Sequence, residues 1–248
     1  MTANALYRNP VMLDSNVHRG KKLAELTDYS VAASMHATYL AAIEFPQAAR
    51  EMVIVFVRSD NDPASGPISP VVMMGVREGE NLLVDGTRWD ARYVPGYLRR
   101  YPFWTTRLEG SNAPTVLIDD TWSGFSDTDG EALFDADGKP APRLTAAIKF
   151  IEDFEFEAAR TKAFCTRLVE LELLRGMSAS ASLPGGETVS LDGFLVVDTD
   201  KLQALPDAVV VDLHRTGILG LIHAHLLSLA NLQVLVERKT RRMNAAMD

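Results

Sequence analysis

Residues 52–58, MVIVFVR, form the clearest strand-like run in the chain. The run is apolar, largely β-branched and followed at once by turn-forming residues, which predicts a buried β-strand. Two more short apolar runs follow at residues 71–76 and 80–84, and another lies at residues 114–119. Parallel strands need a crossover of about a dozen residues or more, so strands this closely spaced predict mainly antiparallel pairing.

Helical patterns dominate the second half of the chain. Apolar side chains recur near helical spacing across residues 143–175, and residues 218–242 predict a last helix. Between them, residues 188–198 predict a hairpin, and the small, polar residues 176–187 predict a loop.

These patterns together predict an α+β fold. We expect a mainly antiparallel sheet in residues 1–140, covered by the long helices of a helix-rich region at residues 141–248. The two regions are expected to pack as one continuous domain.

Charge and cysteine content narrow the class of protein. A formal net charge of −8 argues against general nucleic-acid binding, which needs a clustered basic surface. A single cysteine, Cys165, excludes an internal disulfide and fits a reducing compartment. We see no secretory signal and no run that approaches the ~20 apolar residues of a spanning helix. The expectation is a cytoplasmic protein without stable membrane insertion.

Residues 93–101, here called the Tyr/Arg segment, contain a dense group of tyrosine and arginine side chains. Five of its side chains, Tyr93, Tyr97, Arg99, Arg100 and Tyr101, are candidates to bind a peptide or partner protein by stacking, hydrogen bonds and a clamp on carboxylate. The tyrosines recur every four residues, which on a helix would place them on one face. The alternative is an aromatic belt that seals the sheet edge, with the arginines paired to Asp85, Asp90 or Glu80.

Several motifs together resemble the SapC family of bacterial proteins. The motif at residues 93–103, YVPGYLRRYPF, is the most specific. Other matching motifs are YRNPVMLD with His18-Arg19, DYS at 28–30, EFPQAAR at 44–50, GENL at 79–82, LDGFLVVD at 191–198 and AHLLSL at 224–229. The resemblance covers nearly the whole chain and departs from the family at Met35-His36.

The resemblance implies a role near the cell surface or in peptide modification. The family takes its name from a protein associated with export of surface-layer proteins, and relatives accompany outer-membrane nutrient receptors and peptide-modifying or halogenating enzymes. It implies no established catalytic residues. The leading hypothesis is therefore a non-catalytic accessory protein, without a cofactor, that binds a peptide or partner protein.

The histidines offer an enzymatic alternative. His18 with Asp14 and a distant His225 would make a site for non-haem iron in a peptide-modifying oxygenase. His223 and His225 cannot share an ion on a helix, because residues two apart diverge by about 200°. His225 lies on an apolar stripe, which favours a hydrogen-bonded core histidine.

Two further features are predicted to be structural or peripheral. Cys165 lacks a partner base and is expected to be a buried, inert side chain. The basic residues 238–242 leave open a third role, at an anionic membrane surface.

Overall fold

The computed structural model describes residues 6–59, 66–107, 114–184 and 186–245, which contain thirteen strands, eight α-helices and two short 3-10 helices, at Ser30–Ala32 and Ala42–Glu44. The strands are β1 (Pro10–Met12), β2 (Lys22–Leu23), β3 (Ala37–Tyr39), β4 (Val53–Arg58), β5 (Ile68–Met73), β6 (Val84–Asp85), β7 (Arg88–Trp89), β8 (Phe103–Arg107), β9 (Pro114–Asp119), β10 (Phe125–Ser126), β11 (Glu131–Ala132), β12 (Leu174–Ser182) and β13 (Thr188–Val197). The helices are α1 (Ser15–His18), α2 (Phe45–Ala48), α3 (Gly96–Arg99), α4 (Pro142–Glu170), α5 (Thr199–Gln203), α6 (Asp207–Arg215), α7 (Ile218–Ser228) and α8 (Asn231–Ala245).

A five-stranded antiparallel sheet, in the order β12-β13-β4-β5-β3, forms the centre of the molecule. Its strand β4 confirms the prediction for residues 52–58 and pairs with β5 over six residue pairs, from Val53↔Met73 to Arg58↔Ile68. Smaller antiparallel sheets, β1-β9-β8 and β10-β2-β11, stand beside it. Most strands lie in the first half of the chain and the longest helix in the second, so the α+β prediction is confirmed.

Side chains of β4 alternate between two buried clusters. Ile54 and Phe56 belong to the larger cluster, which draws residues from both halves of the chain, whereas Val53 and Val55 belong to a smaller one. The alternation follows from the two-residue period of a strand, so both faces of this sheet are buried. Helices α4 and α7 contact the sheet at β5 and β4, and Leu235 of α8 joins the smaller cluster.

Helix α7 completes the hydrogen bonding of the sheet where two strands diverge. Strands β13 and β4 share the single register pair Leu195↔Phe56. Nearby, the N–H of Ile54 donates to Ser228 Oγ at 3.0 Å, and His225 Nδ1 lies 2.9 Å from the Ile54 carbonyl oxygen. The N–H of Val197 donates to His225 Nε2 at 3.1 Å. The core role predicted for His225 is confirmed.

Three boundaries differ from the predictions. Helix α4 ends at Glu170 because Glu172 has a left-handed φ of 52°, and residues 174–182 then form β12 rather than a loop. Exposed Ser178 alternates there with half-buried Met177 and Ala179, a two-residue period that small side chains conceal in the sequence. The predicted helix over 218–242 is divided into α7 and α8.

The predicted strand at residues 80–84 is mostly a turn. Asn81 Oδ1 accepts a hydrogen bond from the N–H of Leu83 at 2.9 Å, which is the local bond that lets asparagine replace regular structure. Only Val84–Asp85 pairs as β6.

Candidate functional site

Glu44 fixes the first half of the Tyr/Arg segment. This side chain is 5% exposed, and its Oε1 accepts hydrogen bonds from the Tyr93 hydroxyl and the Gly96 N–H, both at 2.6 Å. Its Oε2 accepts a third bond from the N–H of Ala41 at 2.9 Å. A Cβ at position 96 would lie 3.1 Å from Glu44 Oε1 and 3.2 Å from the Phe154 ring, so glycine permits this close approach.

The segment contains only one turn of helix. Helix α3 covers Gly96–Arg99, with Pro95 before it. Tyr93 and Tyr101 fall outside the helix, so the expectation that the three tyrosines share a helical face is wrong. The reason is local: the residue before a proline avoids helical angles, so Pro95 disfavours helix at Val94, and the Tyr93 N–H donates instead to Glu51 Oε1 at 2.9 Å.

Arg99 lies flat against aromatic rings at the surface. Its guanidinium carbon is 5.0 Å from the Phe150 ring centroid and 5.5 Å from that of Tyr93. Nε donates to the Val94 carbonyl at 2.9 Å, and the Glu44 carboxylate is 3.9 Å away. The side chain is 44% exposed, which leaves guanidinium surface available to a ligand.

Arg100 is buried among aromatic rings. Its side chain is 9% exposed, and its guanidinium carbon lies 4.1 Å from the Tyr97 ring centroid and 5.2 Å from that of Phe154. The nearest carboxylate in the described chain, that of Glu155, is 3.9 Å away. Nε has no hydrogen-bond partner among the described residues. The rings stabilise the cation in place of water, but they leave part of its hydrogen-bonding capacity unused.

Tyr101 is anchored to a buried carboxylate. Its hydroxyl donates to Asp119 Oδ2 at 3.1 Å. Burial by itself would raise the pKa of Asp119, but hydrogen bonds from the Thr121 hydroxyl and from the N–H groups of Arg8 and Asn9 hold it below its usual range. The carboxylate therefore stays charged, and it ties Tyr101 to the N-terminal segment.

A cavity of about 180 Å³ opens between the Tyr/Arg segment and helix α4. Three guanidinium groups and several aromatic rings line it, including those of Arg99, Arg100, Arg143, Tyr101, Trp122 and Phe150. None of the described residues that line this cavity is Asp or Glu. We call it the arginine cavity. Its charge and walls suit a ligand that is anionic at one end and apolar beside it.

Arg143 and Phe150 were not among the residues predicted for the site. They lie on one face of α4 together with Ala146 and Ala147, at the i, i+3, i+4 and i+7 positions of a helix. The sequence contains this spacing, but it does not reveal which element the face meets. Within the described chain, the Arg143 guanidinium makes no salt bridge or hydrogen bond.

Tyr97 borders a second depression, on the opposite side of Arg100. It lines a groove of about 530 Å³ that follows residues 34–39 along the sheet edge. A neighbouring groove of about 510 Å³ shares four lining residues with it, His36, Ala37, Val57 and Val71. The five residues predicted for binding therefore do not surround one space: Arg99, Arg100 and Tyr101 line the arginine cavity, Tyr97 lines the groove, and Tyr93 supports Arg99 from behind.

None of the acidic residues expected to pair with the arginines, Asp85, Asp90 and Glu80, forms a salt bridge with Arg99 or Arg100 in the described chain. Asp85 Oδ2 lies 3.5 Å from Arg88 Nη2 instead. Asp90 accepts from Arg238 Nη1 at 2.8 Å, and Glu80 pairs with Lys239. Arg242 Nη1 donates to the Asn81 carbonyl at 2.8 Å. The basic C-terminal residues thus hold the segment 80–90 against helix α8.

The residues of the predicted iron site do not form a metal-binding group. His18 Nδ1 lies 2.9 Å from the carbonyl oxygen of Asp14, on the exposed helix α1. Both ring nitrogens of His225 are engaged by backbone groups in the core. Within the described residues, no group of three or more His, Cys, Asp or Glu side chains could hold a metal ion. The donor arrangement does not fit iron.

Cys165 is buried at 2% exposure, as predicted, and burial raises the pKa of its thiol to about 12. We expect the native protein at pH 8 to react with a disulfide reagent about a hundredfold or more slowly than the urea-unfolded chain, because little thiolate is present. Absorbance of the released thiol measures both rates. Comparable rates in the two states would contradict this.

Residues 218–245 are long and apolar enough to cross a membrane by length and composition alone. Core helices of soluble proteins meet the same criterion. In the structure the stretch is two helices, and 22% of its most apolar window is buried, including Ile222 and His225.

Comparison with known protein families gives a match over most of the chain. The family model described as SapC matches residues 13–235, a range that includes every residue lining the arginine cavity. No curated protein and no solved structure matches the chain.

Proposed function

Since the chain belongs to the SapC family, we propose that it is a non-catalytic cytoplasmic accessory protein that binds a peptide or partner protein in surface-protein export or peptide modification. The observation that carries this proposal is the arginine cavity, with three guanidinium groups and no carboxylate among its described lining residues. Arginine pairs with carboxylates in a planar, two-bond geometry, which suits recognition of an acidic group on another chain.

Two properties of the lining favour binding over proton-transfer chemistry. Arginine stays protonated at any physiological pH, so it holds an anion but does not exchange protons with it. Tyr101 already donates its hydroxyl proton to Asp119, and burial raises its pKa. The Tyr/Arg segment acts as the support of the site: Tyr93 backs Arg99, and Tyr97 stacks on Arg100.

A bead library of random octapeptides, attached through their N-termini, tests the proposal. We expect the wild-type protein to retain a defined subset of sequences. Arg143→Glu should retain these sequences at least tenfold less, because the substitution places a negative charge in the cavity. Arg160→Glu is the matched control, since it makes the same charge change on an exposed part of helix α4. Equal retention by wild type and Arg143→Glu would contradict the proposal.

Arg143 allows this test without loss of the fold. It stands in the first turn of α4, where a cation is unfavourable beside the positive end of the helix dipole. Arg143→Glu should therefore leave the melting temperature unchanged or slightly higher. Arg100→Ala is unsuitable, because it would remove a buried side chain from among three rings.

A further inference from the structure

The arginine cavity is small relative to the grooves on the sheet. It measures about 180 Å³, against about 510 and 530 Å³ for the grooves. The arginine cavity is therefore the most confined of the three spaces, and it suits a single terminal residue better than a longer length of peptide chain.

The polar side chains lining the cavity are mainly hydrogen-bond donors. Within the described chain they belong to three arginines, Tyr101 and Trp122. Guanidinium and indole groups are donors only, whereas the Tyr101 hydroxyl donates its hydrogen to Asp119 and keeps its oxygen lone pairs as acceptors. The interior of a peptide carries N–H donors as well as carbonyls, and among the described lining residues the Tyr101 oxygen is the one side-chain acceptor for these donors. A carboxylate offers acceptors alone.

Two of the arginines have hydrogen-bonding capacity that the described residues leave unused, although Arg100 also lies 3.9 Å from the Glu155 carboxylate and hydrogen-bonds the Tyr7 side chain. Arg100 is 9% exposed and its Nε has no hydrogen-bond partner among the described residues. Arg143 stands in a first helical turn without any acidic residue. An anion in the cavity would stabilise both cations, and the Arg143 position is otherwise unfavourable for the helix.

We infer that the arginine cavity binds the C-terminal residue of a peptide. Its α-carboxylate lies at the guanidinium groups, and its apolar side chain lies against Trp122 and Phe150. This inference rests on the proposed function and specifies its ligand. At a C-terminus the carboxylate and an apolar side chain are attached to the same Cα atom, so both enter one small cavity. An internal Asp or Glu has no apolar group on the same residue and continues as peptide in two directions.

The same octapeptide library made in two forms, with free C-terminal acids and with C-terminal amides, tests the inference. We expect the wild-type protein to retain the acid form at least tenfold more than the amide form, because amidation removes the charge that the guanidinium groups recognise. The retained acid sequences should end in apolar residues. Arg143→Gln should reduce retention of the acids to the level of the amides, whereas Arg160→Gln should leave it unchanged.

Each other outcome has a distinct meaning. Equal retention of acids and amides, with both lost in Arg143→Gln, overturns the C-terminal inference and leaves the proposed function standing. Retention of amides rich in internal Asp or Glu also overturns the inference, in favour of a side-chain carboxylate. If the wild-type protein retains neither the acids nor the amides more strongly than Arg143→Gln does, both proposals are overturned.

Discussion

His225→Leu should lower the free energy of unfolding at pH 7 by about 2 to 5 kcal/mol, because it leaves two buried backbone groups unpaired. The Val197 N–H can only donate and the Ile54 carbonyl can only accept, so the neutral ring must carry its proton on Nδ1. Leucine can replace neither bond. Urea unfolding followed by circular dichroism measures the loss.

His223→Leu provides the control for this substitution. His223 is exposed on the same helix, two residues away, and carries neither of these backbone bonds. It should change the free energy of unfolding by no more than about 0.5 kcal/mol. Equal stability of the His225 and His223 variants would contradict the bridging role of His225.

The same histidine makes part of the free energy of unfolding depend on pH. Burial lowers the pKa of His225 to about 4, against an unfolded value of about 6.5. Between these values the unfolded chain binds more protons than the native state, so stability falls as the pH falls. The free energy of unfolding falls by about 3 kcal/mol between pH of about 6.5 and pH of about 4. His225→Leu should lack this part of the pH dependence, so parallel stability curves for wild type and variant between pH 7 and 4 would refute it.

Glu44→Gln should destabilise the protein by about 2 to 4 kcal/mol, because hydrogen bonds to a buried charged acceptor are strong. Glutamine presents an N–H₂ group where the carboxylate now accepts from Ala41, Tyr93 or Gly96. Two donors then face each other in the core. Urea unfolding measures the change, with the exposed Glu152→Gln on helix α4 as control.

Glu44 also links stability to the binding site. The Gly96 amide should exchange its hydrogen much faster in Glu44→Gln than in wild type, because this amide donates to the substituted group. Retention of library peptides should weaken as well, since α3 positions Arg99 and Arg100. Unchanged stability together with unchanged exchange at Gly96 would show that the carboxylate is dispensable.

Local patterns account for the parts of the fold that were predicted. Strand β4 and the body of α4 follow from runs of side chains with one clear period. Strand β12 escaped detection because serine and alanine are both small and alanine is depleted in strands, although their burial alternates. At the break between α7 and α8, Asn231 Nδ2 donates to the distant carbonyls of Ala49 and Met52, and no window of sequence expresses these contacts.

The site was predicted in part, for a similar reason. Arg99 and Arg100 stand out in sequence because tyrosines and prolines surround them. Arg143 lies more than forty residues further along the chain, and only the packing of α4 on the Tyr/Arg segment brings it into the same cavity. Glu44 belongs to the motif EFPQAAR, but a glutamate before Phe-Pro resembles an ordinary helix start, and only the structure shows that it is buried against the Tyr93 hydroxyl and the Gly96 amide.

The engagement of the C-terminal cations with residues 80–90 has a consequence for membranes. Arg238, Lys239 and Arg242 already hold Asp90, Glu80 and the Asn81 carbonyl. Lipid phosphates would have to compete with these protein acceptors for the same charges. Such coupling is reciprocal. An anionic bilayer that bound these cations of helix α8 would therefore weaken their interaction with residues 80–90 by the same free energy.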